Sequence, residues 1–112
     1  MDGASLARQY YRSIDDDEYG ALAEVLTEGF VHDRPDTRIE GREAFVTFMR
    51  DERPDRETTH VVGSVYATES GNVAVEGELL DADGEPWFRF VDVFEVGEAG
   101  IERVRTYTHP GS

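Results

Sequence analysis

The 112-residue chain contains no cysteine and no lysine. The first absence excludes disulfides and any thiolate nucleophile or metal ligand. The three histidines, His32, His60 and His109, lie far apart in sequence. They offer no dense zinc-type cluster, so neither a metal nor another cofactor is expected. No run approaches the ~20 apolar residues of a membrane span. The opening "MDGASLARQYY" lacks the basic-then-apolar layout of a signal peptide, and a cytoplasmic location is expected.

What is present is acid. Twenty-five Asp and Glu oppose eleven basic residues, all arginine, for a formal charge of −14. Such a surface repels phosphate backbones and anionic lipid, so neither nucleic acid nor membrane is an expected partner. Five tyrosines, six phenylalanines and a tryptophan, set in periodic segments, argue for a folded chain rather than a disordered one. Its length suits a single domain over 1–112 with one core. The acid-rich, lysine-free composition resembles that of cytoplasmic proteins from salt-accumulating halophiles, where a Debye length of ~3 Å at 1 M salt screens self-repulsion.

Leu6, Tyr10 and Ile14 recur at i, i+4 and i+8 and form the buried stripe of a first helix. The acidic run 15–18 suits a solvated cap for a second helix, "EYGALAEVL". "FVHDRPD" is a short strand stopped by Pro35. "GREAFVTFMRDERP" is a third helix that buries Phe45, Phe48 and Met49 and ends at Pro54.

From Thr58 the period changes to two, which predicts strands near 59–68, 73–80, 86–96 and 101–109. These form an antiparallel meander, and pairing across "DADG" sets Phe88 opposite Gly77, Phe90 opposite Val75 and Glu76 opposite Arg89. Phe88, Phe90, Asp92 and Phe94 then share one face, so a carboxyl sits among phenyl rings. The expected fold is α+β, a curved antiparallel sheet with helices on one face.

The segments "YYRSIDDDEYGALAEVL", "GREAFVTFM" and "VDVFEVGEAGI…TY", in this order, resemble the nuclear transport factor 2-like superfamily, with its SnoaL-like cyclases and ketosteroid isomerases. The resemblance spans nearly the whole chain. It implies a cone-shaped cystatin-like roll, three helices packed on the concave face of the sheet around an apolar pocket, and a homodimer through the sheet's outer face. In ketosteroid isomerases a tyrosine and a protonated aspartic acid form an oxyanion hole. The matching residues here are Tyr10 and Asp92. Burial among rings disfavours the anion of Asp92 and raises its pKa, so it could donate to a developing enolate.

The isomerase base precedes a proline, and this chain has Arg34 there. His32 shares the face of Arg34 and becomes the first candidate base, with His60 or His109 as substitutes. SnoaL-like cyclases place a catalytic aspartate where His109 stands. Each histidine also has a plain structural reading. A limonene-epoxide hydrolase pattern fits less well, because its Arg and Asp stand two residues apart whereas Arg89 and Asp92 stand three apart.

The last turn leaves two registers open. A four-residue loop pairing Val96 with Ile101 turns Arg103, Arg105, Tyr107 and His109 inward. A three-residue loop pairing Gly97 with Ile101 turns Val104, Thr106 and Thr108 inward instead. The second is expected, because two buried arginines against one Asp92 would leave an uncompensated cation. It puts both arginines outside, beside Glu76 and Glu78 in a subunit contact. His109 could still reach the pocket mouth from a frayed strand end.

Together these features point to a cofactor-independent acid–base enzyme for a small hydrophobic, carbonyl-bearing molecule. Tyr10, His32 and Asp92 carry the chemistry. Arg34, Phe48, Met49, His60, Tyr66, Phe88, Phe90 and His109 bind substrate, and Trp87 lies on the sheet surface or a dimer contact. Two competing readings stand beside this one. Asp92 could form a structural ion pair with Arg34, and the domain could be a non-catalytic ligand-binding or dimerisation module, since fold alone does not choose a function.

Overall fold

The computed structural model describes residues 2–53 and 57–110. Helix α1, Gly3–Asp15, starts where the Asp2 carboxylate accepts the Ser5 N–H, a standard N-cap. It buries Ala7, Tyr10, Tyr11 and Ile14, a wider face than a single i, i+4 stripe, because the helix packs against both the sheet and its helical neighbours. Helix α2, Tyr19–Val25, is preceded by Glu18, whose side chain makes no capping bond. The acidic run therefore does not cap it. Asp15 instead closes α1, and Asp17 accepts from Tyr19. Helix α3, Arg42–Thr47, continues into a π-helical turn over Phe48–Glu52 that buries Met49. The expected stop at Pro54 lies outside the described residues.

Six strands follow the order β2-β1-β6-β5-β4-β3. They are β1 Leu26–Asp33, β2 Arg38–Glu40, β3 Thr59–Ala67, β4 Val73–Leu80, β5 Pro86–Gly97 and β6 Gly100–Pro110. The last four form the expected meander. The sheet is mixed rather than antiparallel, because β1 lies parallel to β6. It is curved, open, and covered on one face by the three helices. A hairpin around Pro35 pairs β1 with β2 and holds the Arg34 N–H on Thr37 O at 2.8 Å.

Three bulges decide which residues face the helices. In β6 the turn begins with Val96 opposite Ile101 and Gly97 opposite Gly100, and the register then shifts so that Phe94 faces Val104 and Asp92 faces Thr106. Both registers open in the sequence thus occur, one at the turn and one beyond it. Arg103 and Arg105 go to the outer face, where they meet Asp33 and Glu95 rather than Glu76 and Glu78. In β5 the shift at Leu80 and Pro86 moves the register by two residues from the expected pairing, setting Gly77 opposite Phe90, Leu79 opposite Phe88 and Glu78 opposite Arg89. In β3 a shift between Val62 and Ser64 turns Tyr66 outward.

The core joins α1, α3 and the inner sheet face through Tyr10, Tyr11, Phe30, Phe45, Phe90 and Phe94. Tyr10 stacks on Phe45 with centroids 6.0 Å apart and meets Phe94 edge-on at 5.3 Å, a geometry that suits the ring quadrupoles. A Cβ at Gly77 would come within 2.7 Å of the Phe90 ring, so only glycine lets the ring lie this close over β4.

Candidate functional site

Between the helices and the open end of the sheet lies a cavity of about 110 Å³. Ile14, Phe48, Met49, Leu79, Phe88 and Phe90 make its apolar wall, and Tyr10, His32, Arg34, His60, Asp92 and Thr106 bring polar groups to it. Of the residues expected at the site, Tyr10, His32, Arg34, Phe48, Met49, His60, Phe88, Phe90 and Asp92 come together here.

Two do not. Tyr66 is exposed on the outer face and donates to Glu76 at 2.6 Å, because the β3 bulge reverses the alternation after Val62. His109 is exposed opposite Arg89 and lines an outer-face groove with Tyr107. Conversely, Trp87 reaches the cavity rim. It is the extra residue at the β5 shift and packs edge-on to Phe88 with centroids 5.5 Å apart.

Asp92 is 5% exposed and is held by two hydroxyls. Tyr11 donates to Oδ2 at 2.6 Å and Thr106 to Oδ1 at 2.5 Å. Burial raises its pKa above the ordinary carboxylate value, while the bonds from Thr106 and Tyr11 and the charges of His60 and Arg34 pull the other way. No ion pair forms between Asp92 and Arg34 among the described residues. Arg34 lies 3.9 Å from Asp36 instead.

The partner of Asp92 on α1 is therefore Tyr11, not Tyr10. Tyr10 lines the cavity, and burial, with the nearby Asp92 carboxyl, pushes its pKa well up, so its hydroxyl keeps its proton. Tyr11 sits one residue off the predicted stripe. Ala7, Tyr11 and Ile14 form a second i, i+4, i+7 row in the sequence, the signal that identifies it.

His32 is buried, with Nε2 3.0 Å from Thr106 Oγ1. Because the Thr106 hydroxyl donates to Asp92, it accepts from His32, which puts the proton on Nε2 and leaves Nδ1 as a buried, unpartnered acceptor. Burial, with Arg34 alongside, lowers the His32 pKa to about 3. The ring is neutral at ordinary pH.

His60 is built differently. Asp15, at the end of α1, accepts the His60 backbone N–H at 2.9 Å and meets Nδ1 at 2.6 Å. This double grip fixes the ring against Tyr11, 4.9 Å away. With a proton on Nδ1 directed at the carboxylate, Nε2 is the ring nitrogen left to act. Asp15 is four residues after Tyr11, on the same helical face, a spacing hidden in the acidic run. Among the described residues no three His, Asp or Glu side chains converge to hold a metal ion, and no helix is long and apolar enough to cross a membrane.

Residues 7–104 match the family model of the SnoaL-like domain. No curated protein matches the sequence significantly. Among solved structures, an NTF2-like protein of unknown function from Cytophaga hutchinsonii superposes with a TM-score of 0.82 at 15% identity, over 98% of this chain and 92% of that one. A Kribbella flavida protein assigned provisionally as a ketosteroid isomerase gives 0.80 at 24% identity, over 98% and 79%. A Xanthomonas campestris protein assigned provisionally as a polyketide cyclase gives 0.74 at 23% identity, over 94% and 88%. At these identities the structural likeness establishes the fold, and the family match covers most of the length of a chain whose cavity is already in view: the protein belongs to the SnoaL-like family.

Proposed function

We propose that this protein is a cofactor-independent acid–base enzyme acting on a small hydrophobic carbonyl compound, in a reaction of the isomerase, cyclase or dehydratase type. The observation that carries this reading is the presence, in one largely apolar cavity, of an imidazole pinned by a carboxylate and a buried carboxyl whose pKa is raised. In this reading His60 Nε2 removes a proton from the carbon beside the carbonyl. Asp92 in its acid form and the Tyr10 hydroxyl donate to the oxygen on which the enolate charge develops. The base role passes from His32 to His60 because a ring whose pKa lies near about 3 is a feeble proton acceptor at neutral pH. The names carried by two structural relatives, an isomerase and a cyclase, agree with this class.

The test is solvent deuterium exchange into a panel of small ketones and oxo acids, followed by proton NMR. Exchange above the buffer rate is expected in the wild type, with a loss of about 10²-fold or more in His60→Asn. No exchange across the panel, or an unchanged rate in His60→Asn, would overturn the reading in favour of a binding module.

The outer sheet face exposes Val61, Tyr66 and Tyr107. We propose that it forms a homodimer contact, so Tyr107→Glu is expected to shift the sedimentation velocity from dimer to monomer. A wild-type monomer would contradict this.

A further inference from the structure

Two arginines line the cavity, and the fold uses them differently. Arg53 donates to the carbonyls of Met49 at 2.9 Å and Ile14 at 3.3 Å and pairs with Asp17 at 3.2 Å. It is a strut between helices. Arg34 has a half-buried side chain whose nearest carboxylate, Asp36, is 3.9 Å away and itself 79% exposed. That is too long for a hydrogen bond, and the Arg34 guanidinium donates to no described residue. Asp92 does not take it either: among the described residues no ion pair joins the two, and the carboxyl oxygens accept from Tyr11 and Thr106. The charge of Arg34 nonetheless reaches Tyr10, His32 and Asp92 alike. A chain of net charge −14 thus keeps, on the wall of its apolar pocket, a planar donor fork that no described residue engages by a hydrogen bond. A partly desolvated cation is costly until a counter-charge arrives.

We infer that Arg34 anchors the carboxylate of the ligand, and that the pocket takes a small monocarboxylic acid whose apolar body lies against Phe48, Met49, Phe88 and Phe90. A guanidinium matches a carboxylate through two parallel N–H···O bonds. A phosphate group fits less well, because it brings up to two negative charges to one available guanidinium. The cavity volume, about 110 Å³, falls below the ~150 Å³ that accommodates benzene. It therefore suits a chain of a few carbons, smaller than a benzene ring, with the carboxylate towards the mouth. The inference rests on the reading of this cavity as the substrate site, and narrows its carbonyl substrate to a small oxo acid.

The experiment compares isobutyrate with isobutyramide, equal in shape and different in charge, by NMR titration at neutral pH and constant ionic strength. The wild type is expected to bind isobutyrate about tenfold or more tightly than isobutyramide. Arg34→Gln is expected to lose that preference while still binding isobutyramide, and Arg34→Lys, which keeps the charge without the fork, to retain part of it. Equal affinities in the wild type, no binding of either ligand at millimolar concentration, or a preference that survives Arg34→Gln would overturn the inference. Deuterium exchange separates it from the catalytic reading. If exchange fails everywhere but the isobutyrate preference persists, the anion site stands and the enzyme reading falls.

Discussion

The Tyr11 hydroxyl and the Asp92 carboxyl, 81 positions apart in sequence, meet at 2.6 Å beneath the cavity. This bond joins α1 to β5 and continues through Thr106 to His32, a polar chain crossing an apolar core. Removing one end leaves the other buried and unmatched. Tyr11→Phe should therefore cost roughly 1 to 3 kcal/mol in stability and move the Asp92 pKa further up, because a donor to the anion is lost. Denaturant unfolding and carboxyl-carbon NMR read the two effects separately. An Asp92 pKa that falls in Tyr11→Phe would contradict the assignment of the donor.

His32 sets an acid limb on stability. Its folded pKa, about 3, lies below the ordinary histidine value of 6.5, so between those two values the unfolded chain binds the extra proton. Stability is complete above about pH 6.5 and falls as the pH drops towards 3, by about 1.4 kcal/mol per unit from this residue. His32→Gln should flatten that limb. Unfolding midpoints at pH 7 and pH 4.5 for both proteins test it, and parallel losses in the two would contradict the buried neutral ring.

The fold was largely legible in the sequence and the site only in part. Helical and strand periods locate all three helices and the four-stranded meander, and the phenyl-flanked Asp92 stands out from its strand. Tyr66 and Trp87 were misplaced for one physical reason: a bulge inserts a residue and reverses the faces beyond it, and period-two reasoning carries no mark of where that happens. The same device lets the last hairpin hold Ile101 in one register and Val104 in the other. Asp15 was hidden by composition. In a run of four acids nothing local distinguishes the residue at the end of α1 that faces His60 from its solvated neighbours.

Asp15 orients the base in the proposed reaction without touching substrate. Asp15→Asn keeps the shape but presents an amide where the ring N–H needs an acceptor. Deuterium exchange should fall by about 10- to 100-fold in kcat with little change in KM. A KM effect alone would make Asp15 merely structural.

Gly77 gives a test of packing. The Val61 carbonyl oxygen and the Phe90 ring occupy the space a side chain would need, so Gly77→Ala should destabilise the fold by about 1 to 3 kcal/mol through overpacking. It should also narrow the cavity that Phe90 walls. A shift in the denaturant midpoint measures the first effect, and an unchanged midpoint would mean that the strand relaxes freely there.

The central claim is that burial holds the Asp92 carboxyl above the ordinary carboxylate range, which favours its role as a donor. The carboxyl-carbon chemical shift of Asp92, followed from pH 3 to 9 with Asp92→Asn to assign the resonance, tests this without any knowledge of the substrate. The expected titration midpoint lies clearly above the ordinary aspartate value of 3.8. A midpoint at or below that value would show a charge stabilised by Tyr11, Thr106 and Arg34, and would contradict the role of Asp92 as a hydrogen-bond donor.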